Sequence, residues 1–128
     1  MTEKLSGAVV SSGNPNNLPI QGNGLNTRSF CYIDDFVEAF NLLVKKGKHR
    51  NIYNIGTDEE INIKKLVKKI IKMTNKNLLI KKNIQKKGNA KRRCPDLSKI
   101  KKIGYKQKVY LDEGLKKTFD WYKKDLKL

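Results

Sequence analysis

Residues 22–47 have the sequence GNGLNTRSFCYIDDFVEAFNLLVKKG, in which the hydrophobic pattern changes from strand to helix. After a Gly-x-Gly turn, residues 27–33 alternate in a strand-like way. The apolar residues that follow recur at helical spacing and form one wide face: Phe36, Val37, Phe40, Leu43 and Val44. The stretch therefore predicts a turn, a strand and a helix that is N-capped by Asp34 or Asp35 and ended by Gly47.

Upstream of this stretch the chain carries one strand pattern. Residues 18–21 predict a short edge strand, because Pro19 lacks the amide hydrogen that a central ladder needs. Residues 1–17 show little apolar periodicity and contain the loop-like sequence SSGNPNN. We therefore predict a poorly defined segment over residues 1–17 and one folded domain over residues 18–128.

Downstream, strand and helix patterns alternate. Residues 51–55 (NIYNI) and 78–82 are β-type runs. Between them Asn62 can cap a helix with an apolar stripe on one side and lysines on the other. Two further helices are predicted over about residues 97–103 and after the acidic pair that begins at Asp112.

The helix predicted over about residues 97–103 is marked at both ends, since Asp96 can cap it and Gly104 can terminate it. It is preceded by a polar loop over residues 83–91, which leads to Arg92 and Arg93. In total about four helices alternate with four short strands. This order predicts an α/β fold with α+β character rather than an all-α bundle.

The net charge of +17 raises a second interpretation, a basic nucleic-acid-binding module. Such a module would bind with an affinity that falls steeply as salt increases. Only four of the 29 basic residues are arginines, however, and the rest are lysines distributed along the chain. Lysine is a hydrated point charge, whereas arginine offers a planar fork for phosphate. The diffuse lysines favour a solvated surface, and no nucleic-acid-binding motif supports the second interpretation.

Other classes of protein are disfavoured by the sequence. No apolar run approaches the roughly 18 residues of a membrane span, and no apolar segment after Met1 indicates a signal peptide. Cys31, Cys94 and the single His49 are too few for a four-ligand zinc site. We therefore expect a cytoplasmic protein with two reduced thiols, no metal and no membrane association.

Four motifs occur in an order that resembles the C-terminal portion of the extended short-chain dehydrogenase/reductases, over about residues 17–125. They are Gly22-x-Gly24-x-x-Thr27-Arg28-Ser29-Phe30-x-Tyr32-Ile33-Asp34-Asp35, Asn51-Ile52-Tyr53-Asn54-Ile55-Gly56, Lys91-Arg92-Arg93-Cys94-Pro95-Asp96-Leu97-Ser98-Lys99, and Ile103-Gly104-Tyr105 with Leu111-Asp112-Glu113-Gly114-Leu115. The family includes UDP-glucuronate decarboxylases, dTDP-glucose 4,6-dehydratases and UDP-hexose 4-epimerases. Each motif alone is weak, and their order is what makes the resemblance specific.

This resemblance implies a division of labour. In the family a Rossmann half binds NAD through a Gly-rich turn, a Tyr-x-x-x-Lys pair moves protons, and the C-terminal part holds the nucleotide sugar. This sequence has neither a Gly-x-x-Gly-x-x-Gly turn between a strand and a helix nor a Tyr-x-x-x-Lys pair. We therefore expect a substrate-binding portion without the Rossmann core, with no catalytic or cofactor-binding residues and no activity alone. An inactive truncated remnant is the third interpretation.

Arg28 is the first candidate for binding a UDP- or dTDP-sugar. The resemblance implies that the arginine of this Thr-Arg segment contacts the pyrophosphate. A guanidinium can bond a diphosphate bidentately, and a Gly-x-Gly turn can let an anion approach the backbone. The alternative is a surface arginine that pairs with Asp34 or Asp35.

Arg93 and Arg92 are the next candidates. The resemblance implies that one arginine here reaches the phosphate or the ribose, and we favour Arg93, with Arg92 as the competitor. An anion between the two would offset the repulsion of adjacent like charges. The alternative is a solvated basic loop.

Cys31 is the last candidate. The resemblance implies that this position carries a polar group, variable among family members, near the base of the nucleotide. The alternative is a buried apolar thiol. The resemblance also implies that the apolar faces of the 34–46 helix and of residues 51–55 lack their cover. We therefore expect association with a missing Rossmann half, with a partner chain or with further copies of the chain.

Overall fold

The structure, a computed structural model, describes residues 16–84 and 88–126. In this part of the chain four helices and five strands form a mixed α/β fold, as predicted. The helices are α1 (Ile33–Lys46), α2 (Ile63–Thr74), α3 (Ser98–Lys102) and α4 (Leu111–Asp125). The strands are β1 (Asn17–Gln21), β2 (Thr27–Ser29), β3 (Glu60–Asn62), β4 (Leu79–Asn83) and β5 (Arg92–Arg93).

The strands form two small sheets. β1 pairs in parallel with β4, so Pro19 lies in a two-stranded sheet with an open edge. In the second sheet β2 is central, antiparallel to β3 and parallel to β5. The predicted strand over residues 27–33 is too long, since the partners of β2 reach only to Ser29 and α1 begins at Ile33.

The glycine turn before β2 packs against the start of α2. Gly22 and Gly24 have φ values of 61° and 73°, a region that favours glycine. A Cβ on Gly24 would lie 2.7 Å from Ile20 Cδ1 and 2.9 Å from Lys64 Cβ. The amide of Lys64 also donates to the carbonyl of Gly24 at 2.9 Å. Protein atoms therefore fill the space that a side chain at Gly24 would take, and the approach of an anion to this turn stays a prediction.

Two hydrophobic clusters make up the core of the described residues. The first joins α1 to α3 and to the segment after it, and its buried members are Ala39, Leu97, Ile100 and Tyr105. The second joins β3, α2 and α4, and its buried members are Ile61, Leu66 and Leu111. Glu59 links the second cluster to the start of α4, since its Oε2 accepts from the amide of Leu111 at 2.8 Å.

Asp35 has a different role from the predicted one. The N-cap of α1 is Tyr32, without a side-chain cap, so the prediction that Asp34 or Asp35 caps the helix is wrong. Asp35 is only 1% exposed, and its carboxylate accepts from the amides of Lys108 (3.1 Å) and Val109 (2.9 Å). It therefore attaches α1 to the segment that precedes α4.

Residues 51–55 belong to none of the described strands, so the predicted NIYNI strand is wrong. Side chains bind this segment instead: Asn54 Nδ2 donates to the carbonyl of Asp96 (3.0 Å), and Lys99 Nζ to that of Ile52 (3.3 Å). The inward–outward alternation is kept, since Tyr53 and Ile55 pack against the first cluster while Ile52 is 81% exposed. The pattern was strand-like, but a ladder also needs a neighbouring strand.

Two of the other helix ends agree with the sequence. Asn62 caps α2, because its Oδ1 accepts from the amide of Lys65 at 2.8 Å, and Gly104, with φ 107°, follows the end of α3. The N-cap of α3 is Leu97, so the predicted cap at Asp96 is one residue too early, although Asp96 Oδ1 accepts from the amide of Ser98 at 2.8 Å. The predicted N-terminal segment lies almost wholly outside the described residues, so that domain boundary remains a prediction. No helix among the described residues is long and apolar enough to cross a membrane.

We predict that Asp35→Ala lowers the free energy of unfolding by about 2–4 kcal/mol, because the part-buried amide of Lys108 and the buried amide of Val109 lose their acceptor. Asp34→Ala is the matched control: Asp34 is the exposed neighbour of Asp35 in the same helical turn, and we expect a change within about 0.5 kcal/mol. Urea unfolding followed by circular dichroism measures both. Equal losses in the two variants would show that the buried carboxylate has no special role.

Candidate functional site

The pairing of β2 with β5 creates a cleft at one end of the three-stranded sheet. Its volume is about 500 Å³, within the range of small-molecule sites. Three stretches line it, namely β2 with the residues after it, the end of the 51–56 segment, and β5 with the residues after it. The lining residues are Arg28, Ser29, Cys31, Ile55, Gly56, Arg93, Cys94 and Pro95.

Arg28 and Arg93 lie side by side in this cleft. They are direct partners in the parallel register of β2 and β5, so their side chains leave the same face of the sheet. Arg28 Nη1 donates to the carbonyl of Thr27 at 2.6 Å, which leaves most of its five N–H donors for other groups. The ion pairs of the described residues include neither arginine. Pairing of Arg28 with Asp34 or Asp35 is therefore not observed.

Arg92 is directed to the opposite face, because successive residues of a strand alternate. Its Nη2 lies 2.9 Å from Glu60 Oε2, and its Nε donates to both carboxylate oxygens at 3.0 Å. The pKa of Glu60 is lowered, first by the hydroxyl of Thr27 and then by Arg92. Arg92 and Arg93 thus face opposite sides of the sheet, so the prediction that one anion lies between them is wrong.

Cys31 lines the cleft and is half-buried. Its Sγ is 3.4 Å from the carbonyl of Tyr32, and it also interacts with the hydroxyl of Tyr105. Burial raises the pKa of the Cys31 thiol. Tyr105 donates to the carbonyl of Gly56 at 2.8 Å, and its pKa is also raised, mainly by burial.

Sequence reasoning missed five lining residues of this cleft, namely Ser29, Ile55, Gly56, Cys94 and Pro95. A Cβ on Gly56 would lie 3.0 Å from Pro95 Cγ, so these two residues pack closely at the rim. Cys94 is half-buried and has a free thiol. The missing signal was the pairing of β2 with β5, because it is this pairing that places residues 94 and 95 beside residues 29–31.

The cleft brings two guanidinium groups and two thiols together. Two guanidinium groups face it, and its described lining residues include no carboxylate and no imidazole. The remaining titratable groups are two thiols, and the raised pKa of Cys31 keeps that thiol protonated at neutral pH. Guanidinium groups donate best to an anion that offers several oxygen atoms as acceptors.

A family model for GDP-mannose 4,6 dehydratase matches residues 1–118 of the chain. Among curated relatives, a trifunctional UDP-glucose 4,6-dehydratase/UDP-4-keto-6-deoxy-D-glucose 3,5-epimerase/UDP-4-keto-L-rhamnose-reductase of Arabidopsis thaliana is 40% identical over 107 residues. That match covers 82% of this chain and 16% of the relative. The dTDP-D-glucose 4,6-dehydratase of Homo sapiens is 38% identical over 113 residues, covering 83% of this chain and 32% of the relative.

Two solved structures of nucleotide-sugar enzymes are also similar to this chain. The UDP-glucose 4-epimerase of Thermotoga maritima, solved with UDP-glucose, has a TM-score of 0.80 and 32% identity over 86% of this chain and 36% of its own. A dTDP-glucose 4,6-dehydratase of Streptomyces venezuelae, solved with NAD, has a TM-score of 0.78 and 27% identity over 85% of this chain and 34% of its own. The chain thus spans about a third or less of the proteins it matches.

We predict that Cys31 reacts slowly with iodoacetamide near neutral pH, because only the thiolate is nucleophilic and the pKa of this thiol is raised. The rate should keep increasing at pH values where that of an ordinary thiol has levelled off. Mass spectrometry of a Cys94→Ser variant measures the rate, and the same variant unfolded in urea is the control. Coincident pH profiles for the folded and unfolded chains would contradict the prediction.

Proposed function

The chain belongs to the nucleotide-sugar dehydratases and epimerases of the extended short-chain dehydrogenase/reductase family, and on that basis we propose that its cleft binds the diphosphate of a UDP- or dTDP-sugar. Arg28 and Arg93 form the clamp, each donating N–H groups to the phosphate oxygens. The juxtaposition of these two guanidinium groups on one face of the sheet supports the proposal best. Cys31 lies beside them, close to the bound nucleotide.

The complete enzyme of which this portion forms part would catalyse an epimerisation or a dehydration of the sugar with NAD. The described residues do not fit NAD: the glycine turn precedes a strand, and at Gly24 its space is filled by Ile20 and Lys64. This portion therefore binds and orients the substrate, and the hydride and proton transfers belong to residues beyond it. We place the protein in the cytoplasm, where Cys31 and Cys94 would remain reduced.

The diphosphate clamp can be tested by titration calorimetry with UDP and dTDP. We predict that Arg28→Ala weakens binding about tenfold or more, because charge-assisted hydrogen bonds to the phosphates are lost. Arg50→Ala removes the same charge from an exposed loop away from the cleft and should leave the affinity nearly unchanged. Unchanged affinity in Arg28→Ala would contradict the clamp.

We also propose that the cofactor-binding half of the enzyme covers the exposed apolar face of α1. Five residues at helical spacing form this face, each between 45% and 73% exposed: Ile33, Phe36, Val37, Phe40 and Val44. Such a contiguous apolar surface is typical of an interface rather than of a solvated helix. Residues 51–55, which pair with none of the described strands, offer backbone groups that a strand of that half could bind.

We predict that the chain alone self-associates through the α1 face and that Phe40→Glu reduces this association. Light scattering across a concentration series measures it. Trp121→Glu is the control, because Trp121 is similarly exposed (59%, against 54% for Phe40) but lies on α4. A well-folded wild-type chain that stays monomeric at all concentrations would contradict the prediction.

A further inference from the structure

The face of the three-stranded sheet opposite the cleft carries a network of three side chains. Arg92 makes a bidentate contact with Glu60, with N–O distances of 2.9–3.0 Å. The hydroxyl of Thr27 donates to the same carboxylate. Since Glu60 is on β3 and Arg92 is on β5, the ion pair spans the whole width of the sheet, across β2.

β5 depends strongly on such a contact, because it has only two residues. Next to the β2–β5 ladder, the amide of Thr27 donates to the carbonyl of Lys91 (2.9 Å), the residue just before β5. The Arg92–Glu60 pair connects β5 to the far strand of the sheet. Arg93 follows Arg92 directly and faces the cleft, so any shift of β5 moves Arg93 relative to Arg28.

We propose that Glu60 is a positioning residue for the anion site. By holding Arg92 on the far face of the sheet, it fixes the register of β5 and thereby the place of Arg93 beside Arg28. Glu60 is not among the residues that line the cleft, so it acts through another residue rather than by touching the ligand. This inference rests on the proposed function, since the placement matters through the diphosphate that the two arginines bind.

A positioning role for Glu60 and a purely electrostatic effect of its charge predict opposite changes in the affinity for an anion when that charge is removed. By charge alone, removing a carboxylate near a cationic cleft strengthens the binding of an anion. If Glu60 positions Arg93, removing its charge weakens binding, because the two guanidinium groups no longer hold the spacing of a diphosphate. The direction of the change in affinity therefore separates the two effects.

The test is titration calorimetry of Glu60→Gln with UDP, in which we expect affinity to fall by up to about fivefold, the scale of a partly exposed ion pair. Glu113→Gln is the matched control, since it makes the same chemical change in the exposed Glu113–Lys117 pair of α4 (2.7 Å). Its affinity for UDP should be unchanged or slightly higher. Arg92→Lys keeps the charge but not the bidentate contact. Its affinity for UDP should therefore lie between that of the wild type and that of Arg92→Ala. Affinity in Glu60→Gln that equals or exceeds that of the wild type would overturn the positioning role.

A measurement without ligand separates this inference from the clamp itself. The Nε resonance of Arg93 in the free protein, assigned by its loss in Arg93→Lys, reports the surroundings of that side chain. We expect it to shift or broaden in Glu60→Gln but not in Glu113→Gln. If the wild type does not bind UDP, the diphosphate clamp fails, and this resonance still decides whether Glu60 holds Arg93. An Arg93 resonance unchanged by Glu60→Gln overturns the inference whether or not UDP binds.

Discussion

The alternation of side chains across the short central strand β2 determines the organisation of the site. β2 has three residues and is hydrogen-bonded along both edges, and its successive side chains point to opposite faces of the sheet. On one face Arg28 and Arg93 meet in the cleft. On the other face Thr27, Glu60 and Arg92 satisfy one another. A sheet of this size thus separates two adjacent arginines, so that Arg93 faces the cleft and Arg92 pairs with Glu60.

The features that the sequence predicted well depend on contacts within a few residues. The Asn62 cap joins residues three apart, and the end of α3 at Gly104 depends on the local backbone. The helical spacing of α1 also showed directly in the sequence. Such features are local because a helix forms its hydrogen bonds within its own segment.

The errors concern residues whose partners are distant in the sequence. The acceptor role of Asp35 depends on amides more than 70 residues away, and the fate of residues 51–55 depends on whether a strand lies beside them. The separation of Arg92 from Arg93 required β2 and β5 to pair, which no local pattern indicates. The four ordered motifs predicted the family correctly, because they combine information from the whole chain.

The buried carboxylate of Asp35 has a consequence for the order of events during synthesis. Its partner amide on Lys108 follows 73 residues later in the chain. At ribosomal rates of about 5–20 residues per second, α1 therefore leaves the ribosome roughly 4–15 seconds before the backbone that will satisfy its carboxylate. During that interval the charge of Asp35 remains in water, and the first hydrophobic cluster lacks Leu97, Ile100 and Tyr105 as well. The nascent chain thus carries α1 without its partners, and the first cluster can close only after residues 97–109 have been synthesised.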